Sequence, residues 1–181
     1  MRKKHTTFYI IFFFVLLGAI LLSVQLYVTI AYPLKYENTI TKYANEYSLD
    51  KYLVASIINE ESSFKKNAVS SKGAKGLMQI QDETGRFIAQ SLNEEYNENT
   101  LFNPQTNIRY GCWYLNYLRK KFPYKVVYLS AYNAGEGNVN LWLKDKNTSD
   151  DGITLSSIPF AQTEEYVSKI LHGRKMYNGR F

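Results

Sequence analysis

A single cysteine, Cys112, stands in the 181 residues, so no intrachain disulfide can form. Histidine is almost as scarce. His5 and His172 are too few and too badly placed for a zinc site, so no metal is expected. No Ser-His-Asp or Cys-His arrangement is implied either, which argues against a histidine-activated nucleophile. The chain lacks a basic stripe or nucleic-acid motif, so nucleic acid is not an expected partner. Internal repeats are absent. Acidic residues are missing from the first 32 positions, and no charge of either sign falls between Phe8 and Ile30.

That uncharged run is what the chain has instead. Its apolar part, Phe8 to Leu22, contains Ile, Phe, Val and Leu with one Gly and one Ala, and Ser23, Gln25 and Thr29 soften the second half. At 1.5 Å per residue it is long enough to cross a hydrocarbon layer of about 30 Å. A cleaved signal peptide is the competing reading, but only Thr29-Ile30-Ala31 offers a weak small-x-small site. The expectation is an uncleaved transmembrane anchor over residues 1–32, single-pass. Arg2-Lys3-Lys4 precede it and predict a cytoplasmic N-terminus, with residues 33–181 on the extracytoplasmic side.

Net charge is +6. Residues 1–32 hold three of the 22 basic side chains and none of the 16 acidic ones, which leaves 19 against 16, or +3, for the outer part. That is mild, and fits an anionic surface without specifying one. Some 149 residues suit one domain with one core. Sixteen tyrosines and ten phenylalanines make the chain aromatic-rich, and tyrosine packs an apolar ring while keeping a wet hydroxyl.

Strand signals are sparse, so the fold class is mainly α. Helices are predicted from about Glu37 to Tyr47, with Ile40, Tyr43, Ala44 and Tyr47 on one stripe, and from Asp50 as N-cap to Glu61. Residues 65–76 read as a loop, and a short helix starts near Gln79 or Asp82. A polar stretch over 93–106 turns at Asn103-Pro104. Next comes a helix from Gln105 or Thr106 to Lys121, with Ile108, Cys112, Leu115 and Leu118 inward. A helix over 125–134 stops at Gly135, residues 147–157 form a polar loop, and a last helix spans about Thr163 to Tyr177.

One carboxylate breaks the core pattern. Leu53, Ile57 and Glu61 are each four apart, with Val54 and Ile58 beside them, so Glu61 continues an inward face. Glu60 lies about 100° further round and faces water. Burying a carboxyl group is costly unless it stays protonated or finds partners, so the position points to acid chemistry.

Four motifs follow in order: Glu61-Ser62-Ser63-Phe64, Gly76-Leu77-Met78-Gln79-Ile80, Ala131-Tyr132-Asn133-Ala134-Gly135, and Ile158-Pro159-Phe160 with Tyr166-Val167. Over roughly Ile40 to Tyr177 the chain resembles the catalytic domain of the soluble lytic transglycosylases, a lysozyme-like helical fold related to goose-type lysozyme. Asn107-Ile108, Gly111 and Tyr114-Leu115 also fit. The resemblance implies cleavage of peptidoglycan glycan strands between N-acetylmuramic acid and N-acetylglucosamine, without a cofactor. It implies Glu61 as general acid, then as base on the C6 hydroxyl of the same sugar, leaving a 1,6-anhydro end. It implies that Tyr132 hydrogen-bonds Glu61 and orients it. Ser62, Met78, Gln79, Asn133 and Tyr166 are the implied substrate-binding or cleft residues. A cell-wall partner and an unknown envelope protein partner are compatible with the anchor. The chain departs from the family's pattern at Lys65-Lys66, Gln81-Asp82, Glu136 and Gln162. Asp82 or Glu83 holding a water would instead make the same fold a hydrolytic muramidase. A disabled cleft would make it a wall-binding or assembly protein.

Overall fold

In the computed structural model, which describes residues 2–179, the chain divides into two units, Met1–Pro33 and Leu34–Phe181. The first is one helix, α1 (Arg2–Ala31). Within it Phe12–Ala31 is long and apolar enough to cross a membrane by length and composition. The expected orientation rests on Arg2-Lys3-Lys4, whose side chains lie outside what the structure describes.

The second unit is mainly helical. In order it holds α2 (Glu37–Glu46), α3 (Lys51–Ser62), α4 (Asp82–Ser91), a 3-10 turn (Glu98–Phe102), α5 (Pro104–Lys121), α6 (Lys125–Ala134), α7 (Glu136–Lys144) and α8 (Ala161–Asn178). Among the described residues there is no β-strand, only isolated bridges pairing Val69 with Lys75 and Lys75 with Ile80.

Asp50 starts α3 as its spacing predicts: the carboxylate accepts from the Tyr52 N–H at 2.9 Å. Leu53, Val54, Ile57 and Ile58 are fully buried. Burial of each large aliphatic chain contributes about 1.5–3 kcal/mol. The predicted inner stripe of α5 is buried in full, and Asn103 caps that helix through its side chain, so α5 begins at Pro104. Pro at the first helical position loses no needed hydrogen bond.

Two elements differ from the sequence expectation. Gly135 (φ +86) does end α6, but α7 starts at the very next residue. The polar stretch over 93–106 contains the 3-10 turn, which Asn97 caps and the buried Leu101 anchors.

α3 packs chiefly against α8. Four polar ties cross that pair, one of them the ion pair of Lys169 with Glu60 at 3.2 Å. Arg174 donates to the Asp50 carboxylate, the buried Ser56 hydroxyl donates to the Ile170 carbonyl at 2.8 Å, and the Tyr166 hydroxyl donates to Glu61 Oε1 at 2.7 Å. As the number rises along α3 it falls along α8, so the two helices run antiparallel and deliver Glu61 and Tyr166 to the same end.

Candidate active site

Glu61 is the penultimate residue of α3. Immediately after the helix, Ser63 (φ 50) and the buried Phe64 (φ 60) both adopt left-handed backbone, and Gln79 (φ 49) does the same across the site. Such conformations are uncommon outside glycine and collect at functional sites. The 63–64 reversal turns the chain away and leaves the Glu61 carboxyl at the edge of an open cleft.

That cleft has a volume of about 540 Å³ and its wall includes Glu61, Gln79, Tyr114, Tyr132, Asn133, Phe160 and Thr163. Glu61 is the one carboxylate among the described residues lining it. Burial raises its pKa from 4.5 to about 7, Glu60 adds to the rise, and the Tyr166 hydrogen bond opposes it. Glu60 is exposed, as expected, and pairs with Lys169 at 3.2 Å.

The tyrosine roles differ from the expectation. Tyr166, not Tyr132, donates to Glu61. The Tyr132 hydroxyl instead donates to the Met78 carbonyl at 2.9 Å. Tyr132 still lines the cleft, and the Glu61 charge contributes to the raised pKa of its phenol, so the two groups are neighbours. The physical reason for the exchange is the antiparallel pairing of α3 and α8, which brings Tyr166 up beside the carboxyl.

The loop over 75–80 is held from beneath. Asn107 is fully buried; its amide donates to the Lys75 carbonyl at 2.9 Å and the Leu101 carbonyl at 2.8 Å, and its oxygen accepts from the Met78 N–H at 2.7 Å. Gly76 (φ +77) passes so close that a Cβ would sit 2.2 Å from the Leu101 carbonyl oxygen. Ser62 is buried, and its hydroxyl donates to the Leu77 carbonyl at 2.8 Å. Met78 is fully buried and packs against Gly111. The cleft wall therefore includes Glu61, Gln79, Tyr132 and Asn133 of the expected set, whereas Ser62, Met78 and Tyr166 stand behind it.

Gln79 presents a defined face. Its amide nitrogen donates to the Gly76 carbonyl at 2.9 Å and the Ala68 carbonyl at 3.2 Å. A flipped amide would set oxygen against two carbonyls, so the side-chain oxygen is the atom offered to a ligand. Asn133 is the reverse case: its oxygen accepts from the Thr163 hydroxyl at 2.8 Å, which leaves its NH2 as the donor.

Sequence reasoning did not assign Tyr114 to the site, although it lines the cleft with its ring 5.8 Å from that of Tyr132. Its place in Tyr114-Leu115 was the available signal. Cys112 is buried, which pushes its thiol up and leaves it inert. Asp82 is engaged by Lys75 at 3.0 Å and by the Tyr96 hydroxyl at 2.8 Å.

The chain belongs to the transglycosylase SLT domain family, whose model matches residues 38–154. Glu61, Gln79 and Tyr132 fall inside that stretch and Tyr166 beyond it. Over 144 residues, 77% of this chain, it is 33% identical to the soluble lytic murein transglycosylase of Salmonella typhimurium, of which that stretch is 22%. It is 38% identical over 166 residues to membrane-bound lytic murein transglycosylase C of Histophilus somni, covering 79% of this chain and 46% of the relative. Among solved structures, an inactive glutamate-to-glutamine mutant of lytic transglycosylase Slt from Pseudomonas aeruginosa aligns with a TM-score of 0.76 and 30% identity. That alignment covers 84% of this chain and 25% of the other. The chain thus spans between about a fifth and a half of the length of these relatives.

Proposed function

We propose that residues 33–181 form a peptidoglycan lytic transglycosylase, held at the cell membrane by an anchor over residues 1–32. The observation that carries this reading is Glu61: a partly buried acid with a pKa of about 7, hydrogen-bonded by Tyr166, alone among carboxylates on the cleft wall. Conventional glycosidases use two carboxylates, one of which attacks the sugar or activates water. A cleft with one suits a reaction whose nucleophile belongs to the substrate.

In that reaction the protonated Glu61 gives its proton to the glycosidic oxygen as the C1–O bond breaks. The resulting carboxylate takes the proton from the C6 hydroxyl of the same muramic residue. O6 then bonds to C1, closing a 1,6-anhydro ring, and Glu61 is again protonated. A pKa near neutrality serves both halves. Tyr166 fixes the carboxyl and stabilises its anionic phase. The Gln79 oxygen accepts from an amide or hydroxyl of the glycan, and the Asn133 NH2 donates to one.

The anchor reading is supported by the length and apolarity of Phe12–Ala31. With Arg2-Lys3-Lys4 in the cytoplasm, the catalytic unit faces the wall. Mass spectrometry of muropeptides released from purified peptidoglycan by the detergent-solubilised chain tests the chemistry. Anhydro-muramic ends are expected; reducing ends would make the protein a hydrolase.

A further inference from the structure

The uncharged run of α1 carries three polar side chains in its second half, Ser23, Gln25 and Thr29. Two of them are satisfied by their own helix. The Ser23 hydroxyl donates to the Ala19 carbonyl at 2.5 Å, and the Thr29 hydroxyl to the Gln25 carbonyl at 2.9 Å. Such bonding back to the preceding turn is open to short hydroxyl side chains. Gln25 is different. Among the described residues its side-chain amide, with two donor hydrogens and an acceptor oxygen, meets no polar partner. It lies six residues before the end of the apolar stretch Phe12–Ala31, which is about 9 Å along the axis. Lipid chains offer an amide neither donor nor acceptor, so within the bilayer its partner has to come from protein.

The face that bears Gln25 suits a second helix. Gly18, Leu22, Gln25 and Thr29 are spaced by four, three and four residues, which sets them on one stripe of α1. Glycine weakens a helix. No atom lies within 4 Å of where a Gly18 Cβ would stand, so no contact within the chain calls for a glycine there. On a face met by another helix, the missing side chain lets the two backbones approach closely. Arg2-Lys3-Lys4 give every copy of the chain the same orientation. Two α1 helices in one membrane therefore run parallel and carry Gln25 at equal depth. The amide is self-complementary, so across a two-fold axis each can donate to the oxygen of the other.

We infer that α1 pairs in parallel with α1 of a second copy of this chain, joined through the two Gln25 amides inside the bilayer. The inference rests on the reading of residues 1–32 as an uncleaved anchor.

The test is disulfide cross-linking of the full chain in cell membranes. The parent, whose only thiol is the buried Cys112, sets the baseline. Thr29→Cys places a thiol one turn from Gln25 on the same stripe, and Tyr27→Cys places one on the opposite face. On mild oxidation Thr29→Cys should give a covalent dimer and Tyr27→Cys little above baseline. Adding Gln25→Leu, which makes the span more apolar and so keeps it in the membrane, should cut the dimer yield by about three- to ten-fold, and Gln25→Asn should restore most of it. Equal yields from the two cysteine positions, or a yield unchanged by Gln25→Leu, would overturn the inference. Alkaline-carbonate extraction of the same membranes keeps the two readings apart: a chain that stays in the pellet without cross-linking overturns the pairing alone, whereas a chain released into the wash overturns the anchor with it.

Discussion

The Tyr166 hydroxyl lies 2.7 Å from Glu61 Oε1 across 105 residues of chain, the last of four polar ties along the antiparallel pair α3 and α8. Below it come Ser56 with the Ile170 carbonyl and Asp50 with Arg174. The acid is thus positioned by the best-packed helix contact of the domain. This hydrogen bond favours the charged carboxylate and opposes the burial that raises its pKa.

Tyr166→Phe removes that opposition. The pKa of Glu61 should climb further, so the pH above which activity falls should move up. The rate should fall about tenfold or more as the acid loses its orientation. Tyr132→Phe should leave that pH limb in place and destabilise by about 1 kcal/mol, because its hydroxyl serves the Met78 carbonyl. Rate profiles of the two variants across pH 5–9 (an order-of-magnitude window around neutrality) check this. A limb moved by Tyr132→Phe alone would return the orienting role to that residue.

Glu61 should also weaken the fold as it ionises. Its native pKa, about 7, lies above the ordinary 4.5, so the native state holds this proton more tightly than the unfolded chain does. Its contribution to stability is therefore full below about pH 4.5, declines as pH rises through the native value, and is flat above it. Glu61→Gln carries no ionisable group there. Its stability relative to the parent should rise by on the order of 3 kcal/mol between those limits. Denaturant melts at several pH values measure the difference. A gap that does not vary with pH would show that the carboxyl is not desolvated.

Much of this arrangement was legible in the chain. The four-residue spacing of Leu53, Ile57 and Glu61 located the acid, Asp50 marked the start of its helix, and the stripe of Ile108, Cys112, Leu115 and Leu118 proved buried throughout. α7 was not legible. Gly135-Glu136-Gly137 reads as a stop, and the helix beyond it buries only Val139 and Trp142, too few positions to set a period. The partner of Glu61 was not legible either. Tyr132 and Tyr166 both approach the site, and spacing along a chain does not say which hydroxyl reaches a given oxygen across two helices.

The support beneath the cleft predicts where the domain is most fragile. Asn107→Leu keeps an apolar volume but leaves the Met78 N–H and the Leu101 carbonyl unpaired and strips the Lys75 carbonyl of one of its two donors, at a cost of about 2–4 kcal/mol. Gly76→Ala combines a positive φ with a clash against the Leu101 backbone and should cost at least as much. Thermal melts should show both variants folding poorly or not at all at physiological temperature. A near-native melting temperature in both would mean that the loop relaxes freely.

Ser62→Ala separates a structural hydroxyl from a substrate contact. Because this hydroxyl donates to the Leu77 carbonyl from a buried position, its loss should cost about 1 kcal/mol of stability and change KM little. A large rise in KM with unchanged stability would place Ser62 in contact with substrate.

The most direct test compares the parent chain with Glu61→Gln and Glu60→Gln for release of soluble muropeptides from purified peptidoglycan. Glu61 faces the cleft with a raised pKa, whereas Glu60 faces solvent and pairs with Lys169. Release is expected from the parent and from Glu60→Gln, and none from Glu61→Gln despite an intact fold. Undiminished release by Glu61→Gln, or equal loss in both variants, would contradict that expectation.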